Sequence, residues 1–171
     1  PNPFMQAKAK TEAYLRKSGL LYTIIAPNLF MEMWVNMVIG TPLQKGQPVT
    51  LVGEGRRRHT FISAEDVAAF ATTAVAHPAA MNSYLPLGGP QSLSWHDVIA
   101  AFESALGRKI PVRSVPRGSP VPGLPKFMSD MMTFMETFDS PLNTIEIART
   151  FSVTLTTLEE YVRKMIGQMK L

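Results

Sequence analysis

The stretch Leu20-Leu21-Tyr22-Thr23-Ile24-Ile25-Ala26-Pro27-Asn28-Leu29-Phe30 decides how the rest of the chain is read. Leu20 to Ala26 is continuous, uncharged and rich in β-formers. Such a run suits a strand buried on both faces, the habit of parallel sheets covered by helices. Pro27 ends it, because proline has no N–H to give to a ladder. Asn28 can cap the helix expected over Leu29 to Ile39, and Gly40-Thr41-Pro42 closes that helix. The apolar stretch from Leu20 to Ile39 is about as long as a bilayer span. Pro27 and Asn28 break it in the middle, and Glu32 and Asn36 interrupt its second half. Strand followed by helix is therefore the reading, with no membrane partner.

Helix formers precede the strand. Gln6 to Lys17 carries Ala7, Lys8, Ala9, Lys10, Glu12, Ala13, Leu15 and Arg16, and Ser18-Gly19 stops the helix. Lys8 and Glu12 share a face at a spacing of four residues. Downstream, Val49 to Ile62 reads as two short strands around a turn at Gly53-Glu54-Gly55. Ser63 caps a helix from Ala64 to His77, with Asp66 as its capping-box partner. Ser83 to Leu87 is a strand and Gly88-Gly89-Pro90 its turn. Ser94 caps a helix over Trp95 to Leu106 that stops at Gly107, and Ile110 to Val115 is a short strand. Pro116 to Pro125 is a loop, and Lys126 to Phe138 is a helix apolar around most of its circumference. Asn143 to Thr150 is a further helical stretch, and Thr156 or Thr157 caps a last amphipathic helix. Leu20 to Ala26 is the one inner strand of parallel type, and one strand cannot make a sheet. Its neighbours come from outside this sequence, or Ser83 to Leu87 lies beside it.

Composition narrows the chemistry. The 171 residues are 46% hydrophobic and 18% charged, which suits one globular unit with a real core. There is no cysteine, so disulfides, thiolate metal sites and cysteine nucleophiles are excluded. The net charge of +4 comes without a long basic stripe interleaved with aromatics, so nucleic acid is not an expected partner. Arg56-Arg57-Arg58-His59 is the one dense basic cluster, open to a phosphate contact or to a solvated hairpin. His59, His77 and His96 have no metal-ligand spacing, so no metal is expected. Ser63 and Ser94 lack the strand–turn–helix setting of a hydrolase nucleophile. The N-terminal Pro1-Asn2-Pro3-Phe4 is no signal peptide, and a cytoplasmic protein is the expectation.

Four motifs stand in order. They are Lys8-x-x-x-Glu12-x-x-Leu15-x-x-Ser18-Gly19-Leu20-x-Tyr22-Thr23-Ile24-Ile25-x-Pro27-Asn28-x-Phe30; Phe61-Ile62-Ser63-x-Glu65-Asp66-Val67-Ala68; Tyr84-x-x-Leu87-Gly88-Gly89-Pro90 with Leu93-Ser94; and Thr156-Thr157-Leu158-Glu159-Glu160-Tyr161-Val162. Together they resemble the later half of the NmrA-like proteins, atypical short-chain dehydrogenases/reductases. The resemblance covers nearly the whole chain and is weakest between Pro116 and Asn143.

The resemblance implies an α/β fold: the C-terminal part of a Rossmann-type doubly wound sheet with a mostly helical substrate-binding lobe. Residues 1–40 would end the Rossmann-type core, and residues 41–171 would form the lobe, with a returning strand near 83–87. NADP or NAD is the implied cofactor. In the family its pyrophosphate sits on a glycine-rich turn at a helix N-terminus. Neither Gly53-x-Gly55 nor Gly88-Gly89 opens a helix after a buried strand, so the expectation is that this glycine-rich βαβ half lies outside the sequence. Cofactor binding is then expected to need it.

Site residues follow from the same resemblance. Lys8 matches the lysine of the superfamily's Tyr-x-x-x-Lys pair, which holds the nicotinamide ribose and tunes the tyrosine. On residue type alone it is a solvated helix lysine beside Glu12. Four residues before it stands Phe4, which has no hydroxyl to give. Pro27, Asn28, Leu29 and Phe30 match the segment that passes the nicotinamide ring, with Ala26 where relatives commonly carry Arg. Phe30, Met31 and Trp34 match the helix that lines the substrate pocket, although such spacing equally describes core. The implied activity is reduction of a small or apolar carbonyl or enone by NAD(P)H. The alternatives are a cofactor-binding redox sensor without turnover, or an inactive piece. An unpaired edge at Leu20 to Ala26 implies self-association.

Overall fold

A computed structural model describes residues 3–169. The first helix, α1 (Pro3–Lys17), starts three residues earlier than the expected Gln6 and has no buried residue. Gly19, at φ +75°, turns the chain after it. Next comes β1 (Thr23–Pro27), which pairs in parallel with β5 (Ser83–Leu87), Thr23 opposite Ser83 and Pro27 opposite Leu87. Ser83 to Leu87 thus lies beside β1, one of the two arrangements the sequence left open. The burial of β1 does not match expectation. All five of its residues are only partly buried, and Leu20 and Leu21 before it are 66% and 71% exposed. The cause is the strand's surroundings: among the described residues β1 has a partner on one edge alone.

The second correction concerns Asn28, which caps nothing. A two-residue strand, β2 (Leu29–Phe30), follows it, and α2 (Met31–Val35) begins with Phe30 as an N-cap that makes no side-chain bond. The helical run then passes Gly40. A π-helical turn at Asn36–Gly40 leads into α3 (Thr41–Gln44), whose first turn holds Pro42, where a missing N–H costs nothing. The packing is close at Gly40: a Cβ would stand 2.0 Å from Met165 Cε, the end of a flexible side chain.

The hairpin expected over Val49 to Ile62 is absent. Its strands, β3 (Val49–Val52) and β4 (His59–Ile62), go to different sheets. β3 pairs in parallel with β7 (Val112–Val115), while β4 lies between β2, in parallel, and β6 (Ser92–Leu93), antiparallel. Loop 53–58 parts them, with Gly53 and Gly55 both at positive φ and Arg57 and Arg58 anchored elsewhere.

The helices cover these sheets by periodicity. α4 (Ala64–Ala74), capped by Ser63, buries Asp66, Phe70 and Ala74 at i, i+4 and i+8. α5 (Trp95–Leu106) buries Trp95, Val98, Ile99 and Phe102, between a Ser94–Asp97 capping box and Gly107 in the left-handed conformation. α6 (Lys126–Met135) ends three residues before the expected Phe138, and α7 (Ile145–Thr150) is one short turn and a half. α8 (Leu158–Gln168) carries the Thr157–Glu160 capping box and lies against α5. The larger core joins Trp34, Val35, Ile39, Leu51, Phe61, Trp95, Phe102 and Leu158. A smaller one joins Ile62, Phe70, Leu85, Leu87 and Phe151. Between Ser63 and α8, the 4%-exposed Asp66 carboxylate accepts from Thr156 N (2.8 Å) and Thr156 Oγ1 (2.7 Å). No helix among the described residues is long and apolar enough to cross a membrane.

Candidate functional site

Open α/β sheets bind ligands at the carboxyl ends of their parallel strands. Here the ends of β1 and β5 meet, and Asn28 N donates to Leu87 O (2.8 Å) across them. Both exits then turn sharply over β4. Gly88 and Gly89 make that approach feasible: a Cβ on Gly88 would fall 2.3 Å from Thr60 Oγ1, and one on Gly89 1.9 Å from Phe61 O.

The segment between α6 and α7 straps across this crossing. Ser140 makes a parallel bridge to His59, with Ser140 N donating to Arg58 O (2.9 Å) and Thr60 N to Ser140 O (3.4 Å). Thr144 Oγ1 accepts from Gly88 N (2.7 Å). Asn28 Nδ2 donates to Thr60 Oγ1 (3.0 Å), Ser140 O (2.9 Å) and Ser140 Oγ (3.1 Å). His59 Nδ1 stands 2.6 Å from Ser140 Oγ. His59, Thr60 and Thr144 are each 2% exposed or less. No buried side-chain nitrogen or oxygen among the described residues lacks a partner. Burial pushes the His59 imidazole below its ordinary value and outweighs the opposing pull of the Met135 backbone and Asp139.

The arginine run anchors the same strap. Arg57 pairs with Asp139 at 3.7 Å and gives Nε–H to Glu136 O (3.3 Å). Arg58 N donates to Asp139 Oδ1 (2.9 Å), and its guanidinium reaches Asp97 at 3.2 Å and the Ser92 carbonyl. Glu136, 5% exposed, accepts from Gly55 N at 3.3 Å. Arg56 pairs with Glu54 alone among the described residues, at 3.6 Å and in solvent.

Lys8 lies exposed on α1, its Nζ 5.6 Å from the centroid of the Phe4 ring. It forms no ion pair with Glu12 among the described residues. Phe4 meets Phe127 of α6 edge-on at 6.2 Å. At the other end of α1, the Arg16 guanidinium lies 5.7 Å from the rings of Tyr22 and Tyr84. α1 therefore rests on its neighbours at its two ends. α6 runs from Phe127, beside Phe4, toward Met135 and the strap that reaches Asn28. Pro27, Leu29 and Phe30 are partly buried at the strand ends. Met31 and Trp34 face inward at 1% and 4% exposure, whereas Met33 is 44% exposed. No hydrogen bond or ion pair joins Lys8 to the Asn28 turn among the described residues. No three His, Cys, Asp or Glu side chains among them stand close enough to hold a metal ion.

Sequence reasoning missed His59, Thr60, Ser140 and Thr144. Ser140 comes to His59 across 81 residues, and the sequence marks it only as the end of a helix. The adjacent glycines at 88 and 89 were the one local sign of a close backbone approach.

Among curated proteins, this chain is 35% identical over 106 residues to the NAD(P)H azoreductase of Xenophilus azovorans, covering 62% of this chain and 35% of that protein. It is 27% identical over 110 residues to the probable pinoresinol-lariciresinol reductase 3 of Arabidopsis thaliana, 63% of this chain and 36% of that one. It thus spans about a third of the length of the curated relatives it matches. Among solved structures, the NADPH-dependent quinone oxidoreductase of Escherichia coli superposes with TM-score 0.76 at 18% identity, over 97% of this chain and 62% of that one. Isoflavone reductase gives 0.67 at 19% identity, over 96% and 60%. UDP-glucuronic acid 4-epimerase of Bacillus cereus gives 0.71 at 14% identity, over 97% and 50%. These likenesses show an α/β fold with parallel strands of the type found in NAD(P)-binding reductases. The family model for the NmrA-like family matches residues 2–165, and the chain belongs to that family.

Proposed function

We propose that this chain is the C-terminal, substrate-side part of a longer NAD(P)H-dependent oxidoreductase of the cytoplasm that reduces a small or apolar carbonyl or enone. The observation that carries the reading is the Asn28 turn: a polar, hydrogen-bonded crossing at the carboxyl ends of two parallel strands, where such sheets take their ligands. Kinship with an azoreductase and a lignan reductase supports the reaction class. Lys8 and Pro27 to Phe30 would hold the nicotinamide side of a dinucleotide. Among the described residues no glycine-rich turn opens a helix after a parallel strand, so the pyrophosphate side belongs to residues upstream. The dinucleotide supplies the hydride when bound. Lys8 would be the catalytic residue, its ammonium holding the nicotinamide ribose when the dinucleotide is bound. Phe30, with Met31 and Trp34 behind it, forms the apolar wall for the substrate.

A specific observation favours a second reading, a cofactor-binding redox sensor. Phe4 occupies the place of an acid, and its ring packs on Phe127 under Lys8. One experiment separates the two. NADPH oxidation by the full-length protein is followed over a panel of quinones, enones and aldehydes. Turnover that falls about 100-fold or more in Lys8→Ala supports the enzyme. Tight NADPH binding with no turnover on any member supports the sensor. Turnover that Lys8→Ala leaves intact removes Lys8 from the mechanism.

A further inference from the structure

The Asn28 side chain has two chemically different ends, and the structure orients them. A peptide carbonyl can only accept, so the amide atom 2.9 Å from Ser140 O must be Nδ2. The same Nδ2 faces Thr60 Oγ1 and Ser140 Oγ. Oδ1 therefore points away from the strap, and no hydrogen bond reaches it among the described residues. Asn28 itself is only partly buried, at the carboxyl end of β1.

What keeps the amide this way is a hydroxyl with a fixed partner. Ser140 Oγ has one proton and two lone pairs. When that proton goes to the unprotonated Nδ1 of His59, 2.6 Å away, both lone pairs remain free to accept from Asn28. His59 is buried at 2% exposure, so water does not compete for this bond. Ser140 is fixed in turn by its backbone bridge to His59. The order is Asn28 Nδ2–H to Ser140 Oγ–H to His59 Nδ1.

We propose that Ser140 and His59 are positioning residues for Asn28. They lock its amide so that Oδ1 is presented to the site as an acceptor for one hydrogen-bond donor of the bound ligand, the carboxamide N–H of a nicotinamide or a hydroxyl of the substrate. The proposal rests on the reading above that the site takes a dinucleotide and a small substrate. It goes beyond that reading in assigning the specificity of the turn to a strap about 110 residues away in sequence.

The experiment compares NADPH with its 3-acetylpyridine analogue on the full-length protein. The analogue keeps the ring carbonyl but has a methyl group in place of the carboxamide nitrogen, so it lacks the donor. The wild type is expected to bind NADPH about tenfold more tightly, the loss of roughly one good hydrogen bond. Asn28→Ala and Ser140→Ala should bring the ratio near one, and Ser140→Thr, which keeps a hydroxyl, should restore it. His59→Leu should lower the ratio, while His59→Asn, which can place an acceptor where Nδ1 stands, should preserve it. A wild type with no preference, in which Asn28→Ala and Ser140→Ala raise KM only for substrates bearing a hydroxyl, assigns the donor to the substrate and also supports the proposal. If these variants move neither ratio nor KM, the proposal is overturned. Hydrogen exchange of the Asn28 side-chain amide, read by NMR on the same protein, tests the lock separately. It should be slow in the wild type and at least tenfold faster in Ser140→Ala. Unchanged exchange overturns the lock whatever the ligand. Failure of wild type and variants alike to bind NADPH, with exchange behaving as expected, overturns the functional reading and the ligand half of the proposal, and leaves only the lock standing.

Discussion

His59 shows how one side chain can be legible in type and not in role. As a lone histidine after three arginines it reads as part of a basic surface, yet it is buried and bonded to Ser140. Burial is the largest influence on it and favours the neutral ring; Arg57 acts the same way, while the Met135 backbone and Asp139 oppose them. The folded value therefore lies below the ordinary 6.5. The consequence for stability has a definite sign. Above about pH 6.5 the ring is neutral in folded and unfolded chains alike, and nothing is lost. As pH falls from there toward the lowered folded value, the unfolded chain takes up the proton first and stability drops. Below the folded value the penalty stops growing. The urea midpoint of the wild type should therefore fall between about pH 7.5 and about pH 5, and less so in His59→Asn, which has no titrating ring. Equal slopes in the two proteins would remove His59 as the source.

Among the elements, capped helices were legible and strand partners were not. Ser63 and Ser94 cap where the sequence puts them, and Thr157 is the one of two offered threonines that caps the last helix, because a cap depends on neighbours three residues apart. The partner of β3 is set by the helices packed behind it, and nothing in Val49 to Val52 distinguishes His59–Ile62 from Val112–Val115 as a neighbour. Asn28 misled for a related reason: asparagine before an apolar run is a good cap, but β2 intervenes before α2, and the Asn28 amide nitrogen turns to Thr60 and Ser140 instead. The motifs gave the strands of β1 and β5 and the turn at the end of β1, and left their pairing as one of two alternatives; the strap that completes the site comes from loop residues without periodicity. The glycines allow a comparison of two close approaches. A Cβ at Gly89 meets the Phe61 carbonyl, which is backbone inside a sheet and cannot yield. Gly89→Ala should cost about 3 kcal/mol by urea unfolding. A Cβ at Gly40 meets chiefly the Met165 methyl, the far end of a flexible side chain, and alanine gains helix propensity there. Gly40→Ala should stay within about 1 kcal/mol of the wild type. The reverse order would mean that the β5–β6 connection gives way more readily than the packing of α8 on the π-turn.

At the scale of the molecule, one side of the chain is finished and the other is open. The larger core is closed by α5, α6 and α8, whereas β1 has a free edge among the described residues and α1 buries nothing. Between β1 and α4 lies an open groove of about 560 Å³, lined by Leu21, Ile25, Val75 and Met81 among others. Leu21 is 71% exposed, Val75 90% and Met81 59%. Apolar side chains next to an unpaired strand form a surface on which another strand lays down backbone hydrogen bonds and buries area together. In a longer protein an upstream strand would take that place; in this chain alone, a second copy is the nearest substitute. The 171-residue chain should therefore sediment as a concentration-dependent mixture, and a longer protein carrying such a strand should not associate through this face. Leu21→Lys with Val75→Lys should shift the isolated chain toward monomer, because two charges on the groove repel a second copy and leave both cores untouched. A wild-type chain that is monomeric at every concentration and unfolds in one cooperative step would show that β1 needs no neighbour on its open edge.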